Sequence, residues 1–272
     1  MSEHAFFDSG FENADAYADL QVLIRSLDIQ NNHPEFIPIH DVFRQQLRGD
    51  LKDLILEVGC GLGDSARLMA DKNLLATVIA IDKSKDLLNE AIKRTDFNRF
   101  NIEYRLNDVM QLEFEDDSFS FAHAERVLMH VPDPEKALSE MVRVLKKDGT
   151  ILVAEPDLSS VKILPDPECI GEQMVNAWCS FTQAPSIGQK LLPYFYDLPL
   201  KNIQVFLHPI QIRSYQEINQ IRSLDKLLMA VVGDNQVSTE RAQNYKNLLD
   251  KADKQGQFLY YVNMYTVMAD KI

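Results

Sequence analysis

Apolar and polar positions follow two rhythms along the middle of the chain. Short, nearly unbroken apolar runs recur: one from Leu54, within an expected strand over residues 51–58, then residues 76–81 (Ala-Thr-Val-Ile-Ala-Ile) and Thr150–Ala154. Runs of that length and β-branched content predict strands buried on both faces. Two more strands are predicted over Asn101–Leu106 and Ser118–Ala124. Between them apolar positions recur at helical spacing. Ser65–Asp71 is one such stretch, and Asp86–Phe97 is another, with Leu87, Leu88, Ala91 and Ile92 inward. A third is Pro134–Lys146, with Leu138, Met141, Val142 and Leu145 inward. Pro134 suits the first helical turn, where its missing N–H is not needed. Strands alternating with helices at this spacing predict an α/β fold, a parallel sheet with helices on both faces.

The flanks read differently. Ala14–Leu27 carries a helical stripe at Ala16, Leu20, Leu23, Ile24 and Leu27. Pro34 and Pro38 interrupt the chain after this stripe, and Ile39–Leu47 is a second short helix. After Pro156 the alternation stops. Five prolines (165, 167, 185, 193 and 199) punctuate residues 157–200, with helical stretches around Glu172–Thr182 and Ser186–Phe195. This predicts an insert over the sheet edge. Residues 202–213 read as a strand, 215–232 and 238–255 as helices, and Phe258–Ala269 as a final strand.

The first strand runs into Glu57-Val58-Gly59-Cys60-Gly61-Leu62-Gly63-Asp64. Glycine permits a turn that tight and the close approach of a ligand to the backbone. Asp82 follows Gly63 by nineteen positions, at the end of the second strand. In a doubly wound sheet this places a carboxylate beside the turn, where it can accept both hydroxyls of a ribose. A dinucleotide turn reads G-x-G-x-x-G, but Asp64 occupies the third glycine's place. Glu57, two residues before the first glycine, would repel a pyrophosphate. It suits a cofactor with an ammonium and a sulfonium and no phosphate, which describes S-adenosylmethionine (SAM). Two alternatives share the turn and Asp82: an NAD-dependent oxidoreductase, and a SAM-binding protein without methyl transfer.

Bulk properties narrow the partners. The chain has 272 residues, 46% of them hydrophobic, and a net charge of −13. So acidic a chain repels phosphate backbones, and no convincing basic patch offsets this, so no nucleic-acid partner is expected. Cys60, Cys169 and Cys179 lack metal-ligand spacing, so no metal is expected, and their odd number suits a reducing compartment. No apolar run reaches membrane-span length and no signal-peptide layout opens the chain, so a cytoplasmic location is expected. A small-molecule substrate is expected; oligomeric state, a homodimer included, stays open.

Further motifs line up in order: Asn107-Asp108-Val109; Glu125-Arg126-Val127-Leu128-Met129-His130-Val131-Pro132-Asp133-Pro134; the stretch Arg143 to Thr150; and Glu155-Pro156-Asp157. On these and the glycine turn, the chain over residues 54–157 resembles the class I SAM-dependent methyltransferases, in the bacterial small-molecule branch related to quinone-biosynthesis C-methyltransferases. It departs from that pattern at Phe119-Ser120, where the family often has Phe-Asp, and at Lys147-Asp148-Gly149, where it often has Pro-Gly-Gly. The resemblance implies a Rossmann-like seven-stranded, mostly parallel sheet with an antiparallel last strand. It implies a helical N-terminal lid (1–50), a SAM-binding core (51–158), a helical substrate-cap insert (159–200) and a C-terminal part completing the sheet (201–272).

The cofactor-binding residues implied are Glu57, Gly59, Cys60, Gly61, Gly63, Asp82, Lys83, Asn107, Asp108, Val109 and Glu125. Glu57 is expected near the methionine moiety, Asp82 on the ribose, Lys83 flanking the adenine and Asp108 accepting from the adenine amine. The activity implied is in-line transfer of the SAM methyl to the O or C of a small, fairly apolar metabolite. No compelling general base stands out; His123, Arg126 and Asp157 are the candidate catalytic residues. For Arg126 an internal ion pair with Glu125 or Asp157 is favoured over contact with an acidic substrate. His130 reads as a polar hinge ahead of a base. Trp178, Phe181, Tyr194, Phe195 and Tyr196 can roof an apolar substrate, although such aromatics are more often plain core. Tyr17 is a candidate for closing over the cofactor.

Overall fold

Strand β1 (Leu54–Val58) is the centre from which the sheet is built. Its residues are buried after Leu54 because it has a parallel neighbour on each side and helices above and below. The computed structural model describes residues 14–16, 20–47 and 53–272. β2 (Thr77–Asp82) and β3 (Ile102–Leu106) lie to one side of β1. On the other lie β4 (Phe119–Glu125), β5 (Leu145–Leu164), β7 (Leu259–Lys271) and β6 (Leu200–Ile212). The order is β3-β2-β1-β4-β5-β7-β6, with β7 antiparallel to both its neighbours. This is the expected seven-stranded, mostly parallel sheet with an antiparallel last strand. The chain reverses its direction of travel between β1 and β4, and in such sheets ligands bind beyond the carboxyl ends at that switch point.

Helices α1 (Leu20–Asn32) and α2 (Ile37–Gln46) precede the sheet. α3 (Asp64–Lys72), α4 (Lys85–Lys93) and α5 (Pro134–Val144) cross over its strands. The Ser84 side chain accepts from Leu87 N–H to cap α4, and Asp133 accepts from Lys136 N–H ahead of Pro134 to cap α5. α6 (Ile170–Phe181) and α7 (Ile187–Tyr196) form the insert. α8 (Tyr215–Arg222), α9 (Leu224–Gly233) and α10 (Thr239–Lys254) connect β6 to β7. No helix among the described residues is long and apolar enough to cross a membrane.

Several boundaries differ from expectation. β5 continues past Pro156 to Leu164, so residues 159–164, expected in the helical insert, are strand. β7 alongside supplies partners as far as Leu164, and a register shift between Asp157 and Lys162 takes up the irregular stretch. At the N-terminal side, a single 3-10 turn at Ala14–Ala16 precedes the first helix, which runs from Leu20 to Asn32. Pro38 starts α2 and does not break it. The helix expected over 215–232 divides at Ser223, which adopts φ +50°.

Candidate cofactor site

The glycine turn leaves β1 with Gly59, Gly61 and Gly63 at φ +62°, +51° and +79°. Their surroundings separate their roles. A Cβ on Gly59 would stand 2.4 Å from Val127 Cγ2, and one on Gly63 would stand 2.3 Å from the Tyr104 hydroxyl. Both are packing glycines. Gly61 meets only Leu27, at 3.6 Å, and its N–H donates to Asp82 Oδ2 at 2.9 Å. Asp82 Oδ1 accepts from Ser84 N–H, also at 2.9 Å. Burial pushes the Asp82 carboxyl up, against the pull of these two donors. The carboxylate is thus fixed beside the turn.

A cavity of about 580 Å³ opens at the carboxyl ends of β1, β2 and β4. Of the expected cofactor residues, Glu57, Gly59, Cys60, Gly61, Asp82, Lys83, Asn107, Asp108, Val109 and Glu125 all line it. Gly63 does not; it turns the chain into α3, whose Asp64 and Ser65 reach the wall instead. Asn107 Oδ1 is buried and accepts no hydrogen bond from the described residues. One oxygen of Asp108 accepts from Met110 N–H at 2.8 Å and shapes its own turn.

Beneath the turn, Glu57 Oε2 lies 2.7 Å from His123 Nδ1. The His123 ring stacks on Phe43 at 4.3 Å between centroids. Burial works against the imidazolium, yet the adjacent Glu57 carboxylate outweighs it and raises His123. Burial likewise raises Glu57. His123 is fully buried and lies off the cavity, so it is no candidate to touch a substrate. The reason is register: Glu57 and His123 are direct neighbours across β1 and β4. Asp157 is a second correction. It accepts from Ser159 N–H at 3.1 Å and from the Ser159 hydroxyl, inside the β5 irregularity and away from the cavity.

Arg126 does line the cavity, at φ +57°. Its Nε stands 3.1 Å from Glu125, the internal ion pair expected, with no part for Asp157. Its other nitrogens donate to Gln30 Oε1 at 2.7 Å and Asn31 Oδ1 at 2.9 Å on α1. Glu125 also meets His40 of α2 at 3.4 Å. Burial opposes the Glu125 carboxylate, but Arg126 and His40 hold it down at about 2. The next turn, Leu128–His130, hangs on Glu155, whose carboxyl accepts from the N–H groups of Val127, Leu128 and Met129 at 2.7, 2.6 and 3.3 Å. Burial pushes Glu155 up to about 7. His130 faces the cavity and is held down at about 3, by burial first and then by the charges of Lys83, Arg222 and Arg126.

The outer wall was not legible in the motifs. Gln30, Asn31, His40 and Phe43 come from α1 and α2, and Arg222 comes from the end of α8. The insert aromatics are elsewhere: none of Trp178, Phe181, Tyr194, Phe195 and Tyr196 lines the cavity. Trp178 and Phe195 are buried in the main core, and Tyr196 is 70% exposed. Tyr17 lies outside the described residues.

A family model described as a methyltransferase domain matches residues 56–153. The ubiquinone/menaquinone biosynthesis C-methyltransferase UbiE of Rickettsia prowazekii (strain Madrid E) is 30% identical over 197 residues, which cover 66% of this chain and 75% of that one. The chain belongs to the class I SAM-dependent methyltransferases and is related to UbiE. Membership of this methyltransferase family leaves the nicotinamide alternative without support. A 37.1 kDa protein in transposon TN4556 of Streptomyces fradiae is 30% identical over 216 residues, covering 79% of this chain and 61% of that one. The chain spans 61% or less of the first three curated relatives it matches. The YcgJ protein of Bacillus subtilis shares the fold, with a TM-score of 0.61 at 18% identity over 85% of this chain and 97% of that one.

The cavity fits the family's cofactor, SAM. Its floor carries the carboxylates of Glu57 and Asp82, Gly61 leaves space above the turn, and Asn107 offers an unengaged buried acceptor. A carboxylate-lined floor suits a cationic nucleoside and opposes a phosphorylated one.

Proposed function

We propose that the protein transfers the methyl group of SAM to an oxygen or carbon of a small, fairly apolar acceptor. The observation that carries this reading is Asp82, buried at the tip of β2 and held by Gly61 and Ser84 N–H groups at the mouth of the switch-point cavity. In this reading Asp82 accepts the ribose hydroxyls. The backbone from Gly59 to Leu62, open at Gly61, lies along the ribose and methionyl groups. Glu57, braced by His123, sits under the methionyl end. Asn107, Asp108 and Val109 border the adenine, and Lys83 flanks it with its stem.

SAM, when bound, supplies an electrophilic methyl on a sulfonium. The chain's own part is alignment and exclusion of water, which contribute most where the electrophile is already activated. α1 and α2 close the outer side through Gln30, Asn31, His40 and Phe43. His123 and Asp157 are engaged with internal partners, so no side chain is assigned as general base. That same observation favours a second reading, a SAM-binding protein without methyl transfer; turnover of methyl-labelled SAM against a panel of phenols, quinols and polyketide-like acceptors separates the two.

Calorimetric titration with S-adenosylhomocysteine, repeated with Asp82→Ala, tests the cofactor assignment. Removing Asp82 strands two backbone N–H groups and the ribose contacts, at about 1–3 kcal/mol per unpaired group. A loss of affinity of about tenfold or more is expected. Undiminished binding in the variant, or no binding by the wild type, overturns the reading.

A further inference from the structure

We propose that the Glu57–His123 pair holds a proton before the cofactor binds and gives it up to solvent when the cofactor's ammonium group arrives at Glu57. His123 is then a positioning residue that acts through Glu57. This deepens the methyl-transfer reading and rests on its placement of the methionyl end at Glu57.

The two side chains stand opposite each other on adjacent strands, with Glu57 Oε2 2.7 Å from His123 Nδ1. Glu57 is 3% exposed and His123 0%. The Phe43 ring of α2, tilted 25° from the imidazole at 4.3 Å, shuts water from its face. His123 Nε2 is buried and has no hydrogen-bond partner among the described residues, so no second group shares the pair's charge. Two such groups in contact titrate as a unit. With one extra proton the pair is neutral, and without it the pair carries one negative charge.

A negative charge so deeply buried is costly unless a cation answers it. The neighbours supply none. Burial, and after the pull of His123 the Glu125 carboxylate, push Glu57 towards its protonated form. Phe43 is apolar. The Cys60 thiol in the glycine turn stays neutral, pushed up by burial and by the carboxylates of Asp82 and Glu57. Arg126 and His40 are engaged with Glu125. The pair on its own therefore keeps its proton. An ammonium at Glu57 reverses the balance, because it competes with the proton for the same carboxylate. Releasing the proton leaves the one negative charge that the ammonium answers. Glu57 lines the cavity and His123 lies behind it, so the proton leaves by way of Glu57. Binding that releases a proton tightens as pH rises.

Calorimetric titration of the full chain with S-adenosylhomocysteine, run in phosphate and in Tris, reads the protons released from the difference in heat between the buffers. About half a proton or more per ligand is expected at about pH 7, with affinity rising about threefold or more between about pH 6 and 7.5. 5′-Methylthioadenosine keeps the adenine and ribose and lacks the ammonium, so it should bind without release. In His123→Gln the carboxyl alone must hold the proton, and the pH profile of affinity should move down by about one unit or more. Glu155, pushed up to about 7 in the neighbouring turn, is the other group that titrates in this range. Glu155→Gln should leave the release intact. Binding of S-adenosylhomocysteine with no proton released overturns the proposal. So does equal release with 5′-methylthioadenosine, an unmoved profile in His123→Gln, or loss of the release in Glu155→Gln. The comparison of the two ligands on the wild type decides the matter even where His123→Gln fails to fold. Failure of the wild type to bind either ligand strikes the methyl-transfer reading instead.

Discussion

Two helical pairs are added to the sheet, and their outermost helices attach by different chemistry. α6 and α7 turn Ile170, Met174, Val175, Trp178, Ile187, Leu191 and Phe195 into the main core. α7 presses on β5 so closely that a Cβ on Gly188 would lie 2.9 Å from the Glu155 carbonyl oxygen. α1 buries Leu23 and Ile24 in a small cluster with Leu62 and Leu87 and adds to it a set of polar contacts. Asp28 takes Arg94, the residue that ends α4, at 2.6 and 3.2 Å, Asn31 donates to Asp64 at 2.9 Å, and Gln30 and Asn31 receive Arg126. Apolar burial of the first kind is lost only by unfolding. Hydrogen bonds and ion pairs at a partly wet boundary contribute little net energy each and exchange readily with water. The insert is therefore a permanent part of the core; α2 is too, through Ile39 and Phe43, and α1, held by the small cluster and by polar contacts, is the element suited to opening for entry and release.

The sharpest way to break this comparison is Phe195→Ala. Truncating a fully buried aromatic is expected to cost about 3–5 kcal/mol in chemical denaturation. Affinity of the folded protein for S-adenosylhomocysteine should be unchanged, since Phe195 is off the cavity. A matching loss of affinity would make the insert part of the site after all. Asn31→Ala should do the reverse. It removes two hydrogen bonds, about 1–2 kcal/mol together. Hydrogen exchange over residues 20–32 should accelerate and S-adenosylhomocysteine should bind less tightly, with the global midpoint scarcely moved. A lowered midpoint with unaltered exchange would mean that α1 is core.

The smallest effect sharpens the comparison at the loop both pairs touch. Ala184 N–H donates to Met129 O from the insert side, Arg126 reaches α1 from the other, and Glu155 holds the turn between. The folded state keeps the Glu155 proton up to about 7, whereas the unfolded chain releases it near 4.5. Between those values the folded state binds more protons, so this group's contribution to stability is full below 4.5 and declines as pH rises to 7. Melting temperature should fall by a few degrees across that window, and Glu155→Gln should flatten the slope. An unchanged slope in the variant would place the titration elsewhere.

Strands β1, β2 and the start of β5 were legible because burial on both faces leaves nearly unbroken apolar runs. Asp82 and the glycine turn were legible because a tight turn beside a ligand restricts residue choice. His123 was not. Strand alternation assigns it a face, but only the pairing of β4 with β1 puts it beside Glu57. Asp157 stands past the strand expected over Thr150–Ala154, and nothing local signals that β7 carries β5 on to Leu164. Gln30 and Asn31 read as ordinary polar residues at a helix end. Their role depends on Arg126, 95 or more positions away. Trp178 and Phe195 have the composition of a substrate roof and the environment of a core, and composition does not separate these.

The placement of β7 bears on how the chain is made. β6 pairs with β7 alone, and β7 is synthesised after it, beyond α8, α9 and α10. At ribosomal rates of about 5–20 residues per second, β6 waits a few seconds with both edges open. Val205 and Leu207 stand exposed on it even in the finished sheet. The glycine turn, Asp82 and the β4 loop emerge before that interval, so the cofactor half can assemble on the nascent chain. Sheet completion falls to the last strand, and β6 is where a chaperone would find this protein most exposed.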